Sequence, residues 1–333
     1  VKLDSKDALL PVILFNDKIY KLEKDIWIDM KRAFEGTDTM QKYSRKRVKK
    51  AVKIALDAQQ TFDDDIQKKG EAMLKRLKDR GEKVFVGIGR GYTIFDNKAS
   101  SRIHDLFISN GLHFIPAFFL NMPDYDFREV VHHMYWTQGR RMTRYNIRVA
   151  MDPSLYGVRE TNFNCGPDAM LSYHETRIFD VAEKPYLTLQ TDGHNSNAQF
   201  GTRIMANYEV VRNHIPKEIT LKDLKKTLFN MKGLNDRILG IPVMGIESTQ
   251  MLVSVFRSLG FRAEVMPTRT PESDAYARKY LITNNCLPLH IVFGDSFAWL
   301  EQKKKEGYDP NTELALFIPM AGGPCRLGHY HII

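Results

Sequence analysis

Cysteine is scarce in this 333-residue chain, which also has no low-complexity tract and no long apolar run. Three cysteines cannot build a disulfide framework, and no C-x-x-C pair is present for a zinc ribbon or a thioredoxin-type centre. The unbroken apolar runs fall far short of the roughly 18 residues needed to cross a bilayer, and the N-terminus lacks a signal-peptide pattern. A cytoplasmic protein without a membrane partner is therefore expected. The absence of biased tracts excludes collagen, repeat arrays and wholesale disorder. No H-E-x-x-H pair and no P-loop Lys-Ser/Thr occur either, so neither zincin nor P-loop chemistry is expected.

What remains is an ordinary globular composition, 43% hydrophobic and 27% charged, at a length that predicts about two domains. The formal charge of +9 is concentrated: residues 41–80 hold 13 Lys and Arg against 6 Asp and Glu. In that stretch Ala51, Ile54, Ala55, Ala58, Phe62 and Ile66 recur at helical spacing, which predicts a long amphipathic helix with the basic residues on its other face. That face reads as solvated, or as a docking surface for an acidic partner. No RNA-binding or helix-turn-helix signature accompanies it, so nucleic acid is not expected. Gly81 is placed to end the helix.

From Lys83 the period changes. Short apolar runs at 83–88, 112–117, 158–163 and 186–190 each lead into a helical pattern, and after a turn at Gly240-Ile241-Pro242 the alternation resumes with strands at 242–245, 261–266 and 314–319. The reading is an α/β protein: a helical lead-in over 1–80, then two tandem Rossmann/flavodoxin-like parallel-sheet domains over 81–215 and 216–333. Ligands of such sheets sit beyond the carboxyl ends of the strands, where Cys165 and Cys325 are predicted, while Cys286 just precedes a helix.

Gly87-Ile88-Gly89-Arg90-Gly91-Tyr92 has its third glycine too early for a dinucleotide fingerprint and reads as a tight strand-to-helix turn. Asp192-Gly193-His194 lies past a strand end, where an acid/base pair or a hydrogen-bonded loop histidine would both fit. Cys286 with His290 and Cys325 with His329 have four-residue spacing, but neither pair stands in a nucleophile elbow.

Every cysteine has a proline within two residues: Cys165-Gly166-Pro167, Cys286-Leu287-Pro288 and Gly323-Pro324-Cys325. Free cysteines are most often small buried hydrophobes. Iron accounts for these neighbours better, because thiolates from separate loops bind Fe–S clusters, and Gly and Pro let the backbone turn around one. Gly166, Pro167, Pro288 and Gly323 are then the candidate cofactor-binding positions. A Cys₃His zinc site is a further alternative.

The segments Asn162-Phe163-Asn164-Cys165-Gly166-Pro167-Asp168, Asn285-Cys286-Leu287-Pro288 and Gly322-Gly323-Pro324-Cys325-Arg326-Leu327-Gly328-His329-Tyr330 resemble the large acyl-CoA dehydratase activase-like proteins, relatives of the 2-hydroxyacyl-CoA dehydratase subunits. The resemblance runs from about Gly81 to Tyr330 and takes in Gly89-Arg90-Gly91-Tyr92 and Lys184-Pro185-Tyr186. It implies a [4Fe-4S] cluster, or half of a double-cubane cluster, held by Cys165, Cys286 and Cys325. It further implies low-potential electrons from an ATP-hydrolysing activator module or subunit, and an acyl-CoA thioester as substrate. His194, Arg203, Arg326 and His329 are the candidate catalytic residues, Arg203 and Arg326 offsetting charge and His194 and His329 tuning the open iron. Gly91 stands where the family usually has proline, and Gly193 where it has an acidic residue. The chain also reads as an oligomer or a piece of a longer protein. The rival expectation is a binding or scaffold module with structural cysteines.

Overall fold

A computed structural model of the chain describes residues 19–38, 43–131, 134, 136–162, 165–191, 197–225, 233–281, 286–319, 327 and 330. It divides into two compact units, Val1–Ala72 and Met73–Ile333.

In the first unit, helix α1 (Ile19–Ala33) packs Leu22, Ile26, Trp27 and Met30 against Val48, Val52 and Leu56 of the long helix α2 (Arg45–Asp79). The long helix expected over this stretch is present as α2, and much of the apolar face it carries is left uncovered. Ile54 and Phe62 are 57% and 58% exposed, and Ala51, Ala55 and Ala58 are exposed too. Periodicity reveals which residues share a helix face, but burial requires a partner for that face, and α1 supplies one only around Val48 and Val52. The basic residues Lys46, Lys49 and Lys53 are exposed as expected, Lys49 lying 3.7 Å from Glu23. Past Asp79 the chain turns at Gly81, whose φ of +72° suits glycine.

The second unit is α/β with two parallel sheets. The first has four strands in the order β2-β1-β3-β4: β1 (Val84–Gly89), β2 (His113–Pro116), β3 (Leu155–Thr161) and β4 (Tyr186–Gln190). The apolar, β-branched make-up of β1 reflects burial on both faces. One face meets α5 (Thr137–Met151) and α6 (Gly166–Val181) through Val84, Val86, Ile88, Leu155, Met142 and Leu171. The other meets α4 (Ile103–Ser109) and α7 (Asn197–Asn213) through Phe85, Tyr156, Val158, Phe107, Phe200 and Ile204. Between β1 and α4 lies the five-residue α3 (Gly91–Phe95), and α8 (Leu221–Leu224) follows α7.

The second sheet has the order β6-β5-β7, from β5 (Ile238–Ile241), β6 (Arg262–Val265) and β7 (Leu314–Leu316). Its first strand lies four residues before the expected 242–245, because Pro242 has no N–H to give the ladder and ends the apolar Ile-Leu-Gly-Ile run instead of opening one. Helix α9 (Ile246–Ser258) joins β5 to β6, and α10 (Pro271–Tyr280) pairs with α11 (Leu287–Lys305). No helix among the described residues is long and apolar enough to cross a membrane.

Candidate functional site

In both sheets the strand order reverses beside the first strand, between β1 and β3 and between β5 and β7, so a crevice opens at the carboxyl ends of each pair. The second crevice is a cleft of about 170 Å³ lined by Ile241, Pro242, Met244, Thr249, Phe317 and Pro319. The first carries the charged groups.

At the end of β1 a Cβ on Gly89 would lie 2.7 Å from both the Glu160 carbonyl oxygen and Thr93 Oγ1, so the tight turn requires glycine there. Arg90 follows. Across the crevice β3 leads through Asn162 to Cys165, whose N–H donates to the Asn162 carbonyl at 3.0 Å. Cys165 caps α6, with Gly166 and Pro167 as its first two helical residues. Cys286 stands in the same position on α11, capping it with Pro288 as the second helical residue. Proline suits the first turn because the missing N–H has no helical partner in any case. Neither cysteine side chain makes a capping hydrogen bond, and both are free and only half-buried. Each sulfur thus sits at the positive end of a helix, where an anion is favoured.

The loop that presents Cys165 is held by a buried charge network that the motifs did not reveal. Arg159, fully buried on β3, donates from Nη2 to Asp168 Oδ1 at 2.6 Å and from Nη1 to Glu175 Oε1. Asp168, in the first turn of α6, accepts at Oδ2 from Thr161 Oγ1 and from the Asn162 N–H at 3.1 Å. Its carboxylate therefore ties both ends of the turn around Cys165. Asn146 Nδ2 donates to Glu175 Oε1 at 2.8 Å. The signal in the sequence was an Arg and a Glu inside an otherwise apolar strand, at Val158-Arg159-Glu160.

Burial pushes the Glu175 carboxyl up to about 7, against the opposing pull of Arg159. Glu160, on the opposite face of β3, is also driven well above the usual carboxylate range by burial, and its Oε2 has no hydrogen-bond partner among the described residues. The sign for Glu175 follows from linkage: the unfolded chain releases its proton near 4.5 while the fold keeps it to about 7, so stability falls as pH rises between those values. Glu175→Gln should remove that slope, which urea midpoints of both proteins from pH 5 to 8 would reveal. Parallel wild-type and variant profiles would refute the assignment.

Packing joins α6, α11 and the residues Leu327 and Tyr330. Met170 of α6, Leu289, Val292 and Phe293 of α11, and Tyr330 form one buried cluster, against which Cys286 and Leu327 pack. Cys286 Sγ lies 3.3 Å from Tyr330 Oη. Leu327 and Tyr330 come two and five residues after Cys325. Cys325 itself, with Gly323, Arg326, His329 and His194, lies outside the described residues. Among those described, no three His, Cys, Asp or Glu side chains converge as metal ligands. Arg203 lies on α7, its Nη2 donating to the Thr188 carbonyl of the edge strand β4 at 2.8 Å. His290 faces Asp274 of α10 at 3.5 Å.

No curated protein and no solved structure matches the chain. Residues 2–120, little more than a third of it, match the family model described as "CoA enzyme activase uncharacterised domain". That stretch ends before the first cysteine motif and overlaps the resemblance noted above only over 81–120. The comparison supports a relation to the activase-like CoA-enzyme proteins through the N-terminal third, up to β2 and the turn after it.

Proposed function

We propose that the chain is an iron–sulfur protein of the 2-hydroxyacyl-CoA dehydratase/activase type, with a [4Fe-4S] cluster, or half of a double cubane, held by Cys165, Cys286 and Cys325. Its electrons would come from an ATP-hydrolysing activator and its substrate would be an acyl-CoA thioester. The observation that carries this reading is the repeated geometry of Cys165 and Cys286. Two half-buried thiols, neither in a disulfide, cap two helices that share one apolar cluster with Leu327 and Tyr330, which follow Cys325 in the sequence. The strand orders 2-1-3-4 and 2-1-3 agree with tandem flavodoxin-like halves over 81–215 and 216–333, whose ligands sit at the switch points. The activase match over 2–120 supports the CoA-enzyme setting.

The described residues fit such a group in part: cysteines at helix N-termini suit an anionic cluster. When bound, the cluster would supply a one-electron, low-potential redox centre. The chain's own work would be to hold the sulfurs: Asp168 fixes the Cys165 turn, and the Tyr330 hydroxyl lies against the Cys286 sulfur.

Anaerobic purification or reconstitution, followed by iron and acid-labile sulfide analysis and EPR of the reduced protein, tests the reading. The expected result is about four irons per chain. Cys165→Ala should lose most of the iron and the reduced-cluster signal. A full cluster in that variant would overturn the ligand assignment. A folded wild-type protein without iron would favour the second reading, a binding module for an acidic partner. The exposed Ile54 and Phe62 beside the lysines of α2 are the observation in its favour. Zinc in place of iron would instead mark a Cys₃His site.

A further inference from the structure

Arg90 follows β1 at the crevice between β1 and β3, and it is 9% exposed. Two of its nitrogens, Nε and Nη2, are buried with no hydrogen-bond acceptor among the described residues. An unmatched buried donor costs about 1–3 kcal/mol, and more when it is charged. Asp168 does not fill the need. Its Oδ2 lies 3.6 Å from Arg90 Nη2, outside hydrogen-bond distance, and already accepts from Thr161 and Asn162, while Oδ1 is taken by Arg159.

The charge around Arg90 also favours an anion. Two guanidinium groups, Arg90 and Arg159, share the Asp168 carboxylate, and burial favours the uncharged form of Glu175, the other partner of Arg159. The first turn of the 16-residue α6, to which Asp168 belongs, brings backbone N–H groups without helical partners to the same crevice. The Tyr92 ring, half-exposed, covers one face of the guanidinium with its centroid 4.7 Å away.

We propose that Arg90 anchors an oxyanion subsite in this crevice, the flat Nε/Nη2 edge of its guanidinium taking two oxygens of a carboxylate or phosphate group, with the α6 N-terminus beside it. Arginine suits the task because its planar fork matches the spacing of two oxygens on one carbon or phosphorus. The subsite stands on Arg90 and its surroundings and is independent of any cluster at Cys165.

The full chain is titrated with inorganic phosphate and, separately, with acetate, chloride holding the ionic strength constant, while the melting temperature is followed. A saturable rise with one of the two anions is expected. A response to phosphate identifies a phosphoryl ligand, and a response to acetate a carboxylate. In Arg90→Gln the half-saturation concentration should rise by about tenfold or more, the loss of one charge-assisted contact. Arg90→Lys, which keeps the charge but not the fork, should show a smaller rise and carries the comparison if the glutamine variant does not fold. Replacing the exposed Arg128 with Gln should change nothing. No saturable rise in the wild-type protein, or wild-type saturation in Arg90→Lys and Arg90→Gln, would overturn the subsite. Iron measured on the same samples separates the two proposals: an anion response without iron overturns only the cluster, and iron without an anion response overturns only the subsite.

Discussion

Arg159→Met is expected to cost about 3–5 kcal/mol of folding stability, the usual penalty for removing one partner of a buried charge cluster. Methionine fills much of the volume but leaves Asp168 and Glu175 buried without the guanidinium that faces both. Glu175 can answer by keeping its proton, since its carboxyl already holds one to about 7. The oxygens of Asp168 also fasten Thr161 and Asn162. The loss should therefore reach the Cys165 turn. Urea denaturation gives the stability, and alkylation of Cys165 under native conditions, followed by mass spectrometry, gives the local effect, expected to be faster in the variant. A stability loss under about 1 kcal/mol would place Arg159 outside the category of buried, committed charges.

The second large effect is expected at Gly294, in the middle of α11. A Cβ there would overlap the Ser273 carbonyl oxygen and lie 2.9 Å from the Ser273 carbonyl carbon, both backbone atoms of α10. Alanine is better than glycine inside a helix by about 1 kcal/mol, which opposes the steric cost. Overpacking against a backbone that cannot rotate away costs about 3 kcal/mol or more. The overlap wins, and Gly294→Ala should destabilise by about 2 kcal/mol, the difference of those two estimates. Thermal or urea unfolding decides it; a stabilised variant would mean that α10 slides along α11 to make room. Because Cys286 caps α11, such a shift would also move that sulfur relative to Tyr330.

Both effects concern features that were hidden in the sequence to different degrees. The start of α10, a helix not among the expected elements, has a local signal at Thr270-Pro271-Glu272-Ser273: Thr270 and Ser273 cap each other, and Pro271 opens the helix. That Gly294 lets the two helices touch is visible only once they are placed side by side. Likewise Pro167 and Pro288, each two residues after a cysteine, announced a helix beginning at each thiol. Their shared apolar cluster joins α6 to α11, more than a hundred residues further along the chain, and to Leu327 and Tyr330 beyond it.

Local chemistry by itself determined the α/β class and, to within a few residues, the strands and most of the helices, because apolar periodicity, proline and glycine act within a few residues of where they stand. It placed Cys165 beyond a strand end and gave α2 its length. It could not say that the Ile54–Phe62 face of α2 would remain exposed, nor that Arg159, Asp168 and Glu175 would meet, nor that Arg90 would be buried with two donors unmatched. Those outcomes depend on which faces find partners and on the register β1↔β3, which sets Gly89 beside Glu160 and so brings Arg90 to the crevice facing α6. Burial and charge pairing belong to the packed chain, since the free energy of a charged group depends on everything that displaces water around it.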